Sequence, residues 1–371
     1  MARSPKTAVS PAPPDRLPGI ALPRENLRLF GHAAAERILL DAYRSGRMHH
    51  AWLITGPDGI GKATLAFRIA RFILANPDPA HQIVDTAVHL DVDAPEGLIG
   101  KIARGIHPNI LHLQRPWDER AKRYKTEISV DTVRRIVPFL GTTAGEGGWR
   151  IVIVDPADEL NRSAANALLK GLEEPPPRTL FVLVSRTPGR LLTTIRSRCR
   201  TLPLRPLGEE ELNVALAHLN PEFSRGDQVR DRVLIRLADG SPRRALELVR
   251  QNAEALYGEL TNALATCDLL AFHSLADTCA DPRGETLGQL LELYAGYLHR
   301  RVKGEAEPDN SHKPPLVPLV TWAQLWEKAA RSASDVDTYN LDRKAFVLDL
   351  LERHAAAVSP GPAGRPATAA V

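Results

Sequence analysis

Gly56-Pro57-Asp58-Gly59-Ile60-Gly61-Lys62-Ala63 is the stretch on which the reading of this chain turns. An apolar run at 51–55 precedes it, and behind it Leu65, Ile69, Phe72 and Ile73 recur at helical spacing. The spacing predicts a strand, a glycine turn and an amphipathic helix in succession. In that setting Gly56, Gly59 and Gly61 let backbone N–H groups turn inward around an anion, the helix N-terminus adds partial positive charge, and Lys62 can reach terminal phosphates. The residue after the lysine departs from the pattern. A hydroxyl belongs there to hold magnesium, but the chain has Ala63, and Thr64 projects about 100° further round the helix. Glycines alone would serve a tight turn equally well; the lysine and the flanking elements favour phosphate binding.

Working outward, a helical pattern at 35–43 precedes the first strand, and further runs at 110–113, 151–154 and 180–184 read as buried strands. Helical patterns at 130–140 and 164–172 lie between them. Strands alternating with helices predict an α/β module with a parallel sheet between helices. Beyond 206 only helical patterns remain, at 209–218, 230–238, 242–252 and further on. The expected organisation is a phosphate-loop domain at 25–205, a small helical lid at 206–252 and an all-helical domain at 253–357. Pro-, Ala- and Ser-rich segments at 1–24 and 358–371 read as disordered tails.

The run Ile151-Val152-Ile153-Val154-Asp155 would deliver a carboxylate beside the loop, which makes Asp155 the metal candidate. The next residue is Pro156, which cannot activate water. Asp158 and Glu159 read as the solvated, acidic lead-in to a helix beginning near Asn161. One site therefore lacks both a metal ligand and a water activator.

Composition sets outer bounds. With 371 residues, 43% hydrophobic and 25% charged, the chain is an ordinary globular protein of two or three domains. It has no secretory leader and no apolar run of about 18 residues, so a cytoplasmic location is expected. Cys199, Cys267 and Cys279 are widely spaced, which argues against a disulfide framework and against a cysteine-rich zinc site. A net charge of +4 permits contact with nucleic acid without requiring it.

Arg196-Ser197-Arg198-Cys199, placed after the fourth apolar strand and a short helix, resembles the SRC motif of the clamp-loader subunits of the AAA+ family. In that family the arginine, here Arg198, projects into the nucleotide site of a neighbouring subunit and stabilises charge on the transferring phosphoryl group. Other segments match in order. Asn166 to Pro176 looks like the helix and Pro-Pro exit after the Walker B strand, Ser185 falls where the family has its sensor 1, and Gly240 to Leu246 resembles the sensor 2 segment, with Arg243 its arginine. His49-His50-Ala51 and His107-Pro108-Asn109 also resemble clamp-loader sequence.

The resemblance spans about 23–252 and implies an AAA+ P-loop module followed by a lid and a helical collar. It implies a component of a DNA-directed DNA polymerase, a nucleotidyltransferase holoenzyme: the bacterial DNA polymerase III clamp loader. A damaged site (Ala63, Pro156) beside a retained Arg198 looks like the delta-prime type, a stator rather than an active ATPase. The implied partners are gamma/tau and delta subunits in a hetero-pentamer, with the sliding clamp and primed DNA met through that complex and no membrane. ATP or ADP, weakly bound, is the implied nucleotide, held by Gly56, Gly59, Gly61, Lys62, Thr64, Asp155, Ser185 and Arg243. Many relatives carry a four-cysteine zinc module between the phosphate loop and Walker B; here 75–128 has no cysteine, so zinc is not expected. An acidic patch at 91–96 and a charged one at 118–125 stand in that interval instead. Two rivals remain: a gamma/tau-like ATP-hydrolysing motor in which Thr64 or a water replaces the missing hydroxyl, and a free-standing AAA+ DNA-binding protein.

Overall fold

The computed structural model describes residues 16–93, 96–141, 148–220, 223, 228–281, 285–304, 317–339 and 342–358. These residues form two compact units. The first takes in the chain up to 220 together with Gly240–Arg243; the second takes in the remainder.

The strands of the first unit are β1 (Ala51–Thr55), β2 (Ile110–Leu113), β3 (Trp117–Asp118), β4 (Arg123–Tyr124), β5 (Arg150–Val154), β6 (Thr179–Ser185) and β7 (Arg200–Pro203). Five of them make one sheet in the order β2-β5-β6-β1-β7, every neighbouring pair parallel. The parallel α/β module expected from the sequence is therefore present. Strands β1, β5 and β6 are buried along their whole length, as their unbroken apolar composition requires when both faces are covered. Leu168 and Leu172 of the helix Arg162–Glu173 pack into a core with Val152, Val154, Phe181 and Leu183. The register pairs Thr55 with Ser185 and Val154 with Leu183, so β1, β5 and β6 end along one edge of the sheet. Ligand crevices of open parallel sheets form at that edge.

Three local features differ from the sequence reading. Strand β7 carried no recognisable signal, because only Leu202 of its four residues is buried. The helix expected at 130–140 is two short helices, Val130–Arg134 and Ile136–Gly141. Pro138 supplies the reason: it has no N–H for the carbonyl of Arg134, and its ring clashes with that carbonyl. In the cysteine-free interval, β3 and β4 pair antiparallel as a small hairpin. Of the expected N-terminal tail, residues 16–24 carry turns, with Leu17 and Leu22 buried; 1–15 and 359–371 lie outside the described residues.

The described residues of the second unit hold no strand. Its helices include Ala253–Thr266, Leu269–Thr278, Glu285–Lys303, Leu319–Tyr339 and Arg343–Val358. Glu285–Lys303 packs on Leu319–Tyr339, and Leu269–Thr278 on Arg343–Val358. His354 is buried among the rings of Tyr294, Tyr297 and Trp322, with Nδ1 3.0 Å from the Tyr294 hydroxyl. Among the described residues no helix is long and apolar enough to cross a membrane, and no group of three or more His, Cys, Asp or Glu side chains could hold a metal.

Candidate nucleotide site and surface arginine

The phosphate loop leaves β1 and enters the helix Lys62–Ala75. Gly59 has φ +73°, and a Cβ built there would lie 2.4 Å from both Ser241 Oγ and Arg243 Cβ. Only glycine fits where the two segments touch. Ser241 Oγ donates to the Asp58 carbonyl at 2.9 Å and the Arg243 N–H to the Gly59 carbonyl at 3.4 Å. Arg243 thus reaches the loop through its backbone. On the other flank His32 Nε2 bonds the Ile60 carbonyl at 2.7 Å.

Lys62 is buried and its ammonium donates to the carbonyl of Pro57, within the loop itself. Burial lowers its pKa; Asp58 and Asp155 oppose the shift, Arg186 adds to it, and Asp158 opposes it more weakly. The lysine is therefore framed by the acids the sequence placed nearby. Thr64 is buried in the first turn of the same helix. Asp155 follows β5, its N–H bonded to the Leu113 carbonyl at 3.0 Å, and its carboxylate lies 3.9 Å from His112 Nε2.

Asp158 and Glu159 are not the solvated lead-in expected from the sequence. Asp158 accepts from Ser185 Oγ at 2.7 Å, from the Arg186 N–H at 2.6 Å, and from the N–H and hydroxyl of Thr187 at 3.3 and 3.4 Å. Ser185, fully buried, accordingly directs its hydroxyl at Asp158. Glu159 pairs with Arg115 at 2.8 Å and with Arg186 at 3.1 Å, while the other arm of Arg186 lies 3.5 Å from Asp58 in the loop. Arg115, Glu159, Arg186 and Asp58 form a continuous chain of charges along the strand ends. Arg186 was missed in the sequence. Its signal was its place directly after Ser185, a basic side chain leaving the same edge as the phosphate loop.

The cradle fits a phosphate group: the glycines turn the loop, the helix Lys62–Ala75 begins without a side-chain cap, and a cation is buried behind it. The same residues fit metal-dependent hydrolysis poorly. Ala63 offers no ligand, Pro156 no base, and Asp158 has its acceptors taken.

Arg198 follows the four-residue helix Thr193–Arg196 and lies at the surface, with a side-chain exposure of 35%. Its guanidinium bonds Glu173 Oε1 at 2.7 Å and the Thr194 carbonyl at 2.9 Å. Cys199 beside it packs partly against the sheet core, and burial pushes its thiol up to about 12.

The family described as DNA polymerase III, delta subunit, matches residues 31–208, which hold the loop, the acid network and Arg198 together. These residues are similar to the delta-prime-like clamp-loader family. Clamp-loader relatives of several types accompany the match. The chain is 34% identical over 229 residues to DNA polymerase III subunit delta' of Escherichia coli strain K12, covering 61% of this chain and 62% of that one. It is 39% identical over 150 residues to subunit delta' of Pseudomonas aeruginosa, covering 40% and 41%. It is 30% identical over 252 residues to subunit tau of Salmonella typhimurium, covering 66% and 36%. The match thus spans about three fifths of the longest-covered of these clamp-loader subunits and less of the others. A DNA polymerase III gamma subunit-related protein from Thermotoga maritima is similar at 17% identity over 86% of this chain and 99% of that one, with a TM-score of 0.42.

Proposed function

We propose that the chain is a delta-prime-type stator of the DNA polymerase III clamp loader: it hydrolyses no ATP itself and lends Arg198 to a neighbouring subunit's nucleotide. One contrast carries this reading. The cis site lacks a metal ligand at Ala63 and a base at Pro156, which leaves Asp155 as its metal candidate, and Asp158 serves four donors, whereas Arg198 sits at the surface. A guanidinium at the surface, held by one exposed carboxylate worth only about 0–1 kcal/mol and by the Thr194 carbonyl, can be transferred to a phosphate of another chain.

In this proposal 25–205 is the AAA+ module, 206–252 the lid and 253–357 a collar that joins a hetero-pentamer with gamma/tau and delta. The sliding clamp and primed DNA are met through that complex, in the cytoplasm. The backbone of Gly56 to Lys62 would hold the phosphates of ATP or ADP, weakly for want of a magnesium ligand. Bound there, the nucleotide supplies an anchor for the loop; Lys62 offsets phosphate charge, and Ser241 and Arg243 brace the loop from the Gly59 side.

The test is ATP turnover by the reconstituted clamp loader with clamp and primed DNA. Arg198→Ala is expected to cut turnover about 10³-fold or more, the loss associated with an arginine finger, while Lys62→Ala has little effect. The reverse pattern, or steady turnover by the pure isolated chain, would instead mark a gamma/tau-like motor.

A further inference from the structure

The hairpin of β3 and β4 occupies the interval in which relatives carry a zinc module, and the stator reading gives it no task. Residues 115–125 (RPWDERAKRYK) hold Arg115, Arg120, Lys122, Arg123 and Lys125 against only Asp118 and Glu119, on a chain whose whole net charge is +4. Both carboxylates have partners within the hairpin. Asp118 accepts from the N–H groups of Arg120 and Ala121 at 2.9 and 3.0 Å, which holds its carboxyl below the usual range, and Glu119 pairs with Lys122 at 3.1 Å. Arg115 is committed to Glu159 at the root.

The other exposed charges of the hairpin segment are cationic. Arg120, Arg123 and Lys125 are exposed, and none forms a salt bridge among the described residues. Below them Trp117 and Tyr124 meet edge to face with ring centroids 5.1 Å apart, and Lys125 N–H bonds the Pro116 carbonyl at 3.0 Å. The paired rings and the closing bond give a two-strand ribbon a firm base.

We infer that this hairpin is a direct contact for the phosphate backbone of nucleic acid. Guanidinium groups with their local carboxylates engaged elsewhere suit phosphate oxygens, which accept paired N–H bonds, and a backbone contact needs no base-reading helix. An acidic protein segment shares part of this chemistry. Nucleic acid is the better fit because two of the three exposed cations are arginines and because the chain is similar to clamp-loader subunits; in that respect the inference rests on the clamp-loader reading.

The experiment uses the full chain and a fluorescently labelled primed duplex, with anisotropy followed from about 50 to 200 mM salt. Arg120→Ser/Arg123→Ser/Lys125→Ser is compared with Arg37→Ser/Arg47→Ser/Lys170→Ser, which removes the same charge from exposed positions elsewhere. The hairpin variant is expected to bind at least about 10-fold more weakly and to reduce the slope of log affinity against log salt by about 2 to 3, while the control stays near the wild type. Unchanged thermal unfolding of both variants secures the comparison. The inference falls if the wild type does not bind the duplex, if both variants lose affinity equally, or if oligoglutamate of matched charge displaces the duplex as well as unlabelled DNA does. Arg198 plays no part in this assay, so the hairpin can fail while the stator reading holds, and the reverse.

Discussion

Asp158 shows how a carboxylate in an ATPase-like site can be diverted to structure. Its oxygens take donors from Ser185, Arg186 and Thr187, the three residues through which β6 leaves the sheet. Each such bond to a charged acceptor contributes about 1.5–3 kcal/mol, though partial exposure lets water replace some of them. Asp158→Ala is therefore expected to lower stability by about 2 kcal/mol in urea unfolding of the full chain, and to change ATP turnover no more than that loss explains. If stability is untouched but turnover of the reconstituted complex collapses, Asp158 is chemical after all. None of these partners was legible beside Asp158 in the sequence, because they lie 27 to 29 residues away and meet it only through strand register. The loop was legible because its glycines, lysine and flanking elements are contiguous, and the same contiguity exposed the defects at Ala63 and Pro156.

Elements were readable in proportion to how completely they are buried. The limits of β1 agree with the apolar run at 51–55, since a strand covered on both faces tolerates no polar interruption; β2, an edge strand buried only at Leu111 and Leu113, was legible from Ile110, Leu111 and Leu113 despite His112 between them. β7 begins with Arg200, ends with Pro203 and stands at the sheet edge, where such residues are allowed and the pattern disappears. β3 and β4, two residues each, are too short to show any period. Helix Arg162–Glu173 was legible at 164–172 from the buried residues Ala164, Ala165, Leu168 and Leu172 on one face, and Asn161 caps it. The Asn161 side chain accepts from the Ala164 N–H at 2.9 Å. Removing that acceptor with Asn161→Ala should cost about 1 kcal/mol, measured as a shift in the urea midpoint at unchanged slope, whereas Asn161→Asp or →Ser should recover most of it.

For the molecule as a whole, His354 couples the stability of the helical unit to pH. Burial, and secondarily the charge of Arg301, push His354 down to about 4. Its imidazole faces Tyr294, Tyr297 and Trp322, and none of these offers a negative charge near neutral pH. The folded form thus stays neutral while the unfolded chain takes up a proton near pH 6.5. Stability from this group is intact above about pH 6.5 and is lost as pH falls towards 4, at about 1.4 kcal/mol per unit. Between pH 6.5 and 5 a drop of about 2 kcal/mol is expected in urea unfolding; His354→Gln, uncharged throughout, should be less stable at pH 7 but show a flatter decline. Cys199 carries a different consequence. Its thiol, held near 12 beside Arg198, is almost wholly protonated at pH 8, so an alkylating reagent takes it slowly. If Arg198 reaches a neighbouring subunit as proposed, alkylation of Cys199 is a chemical clock beside it that should run slower once that subunit closes over the segment.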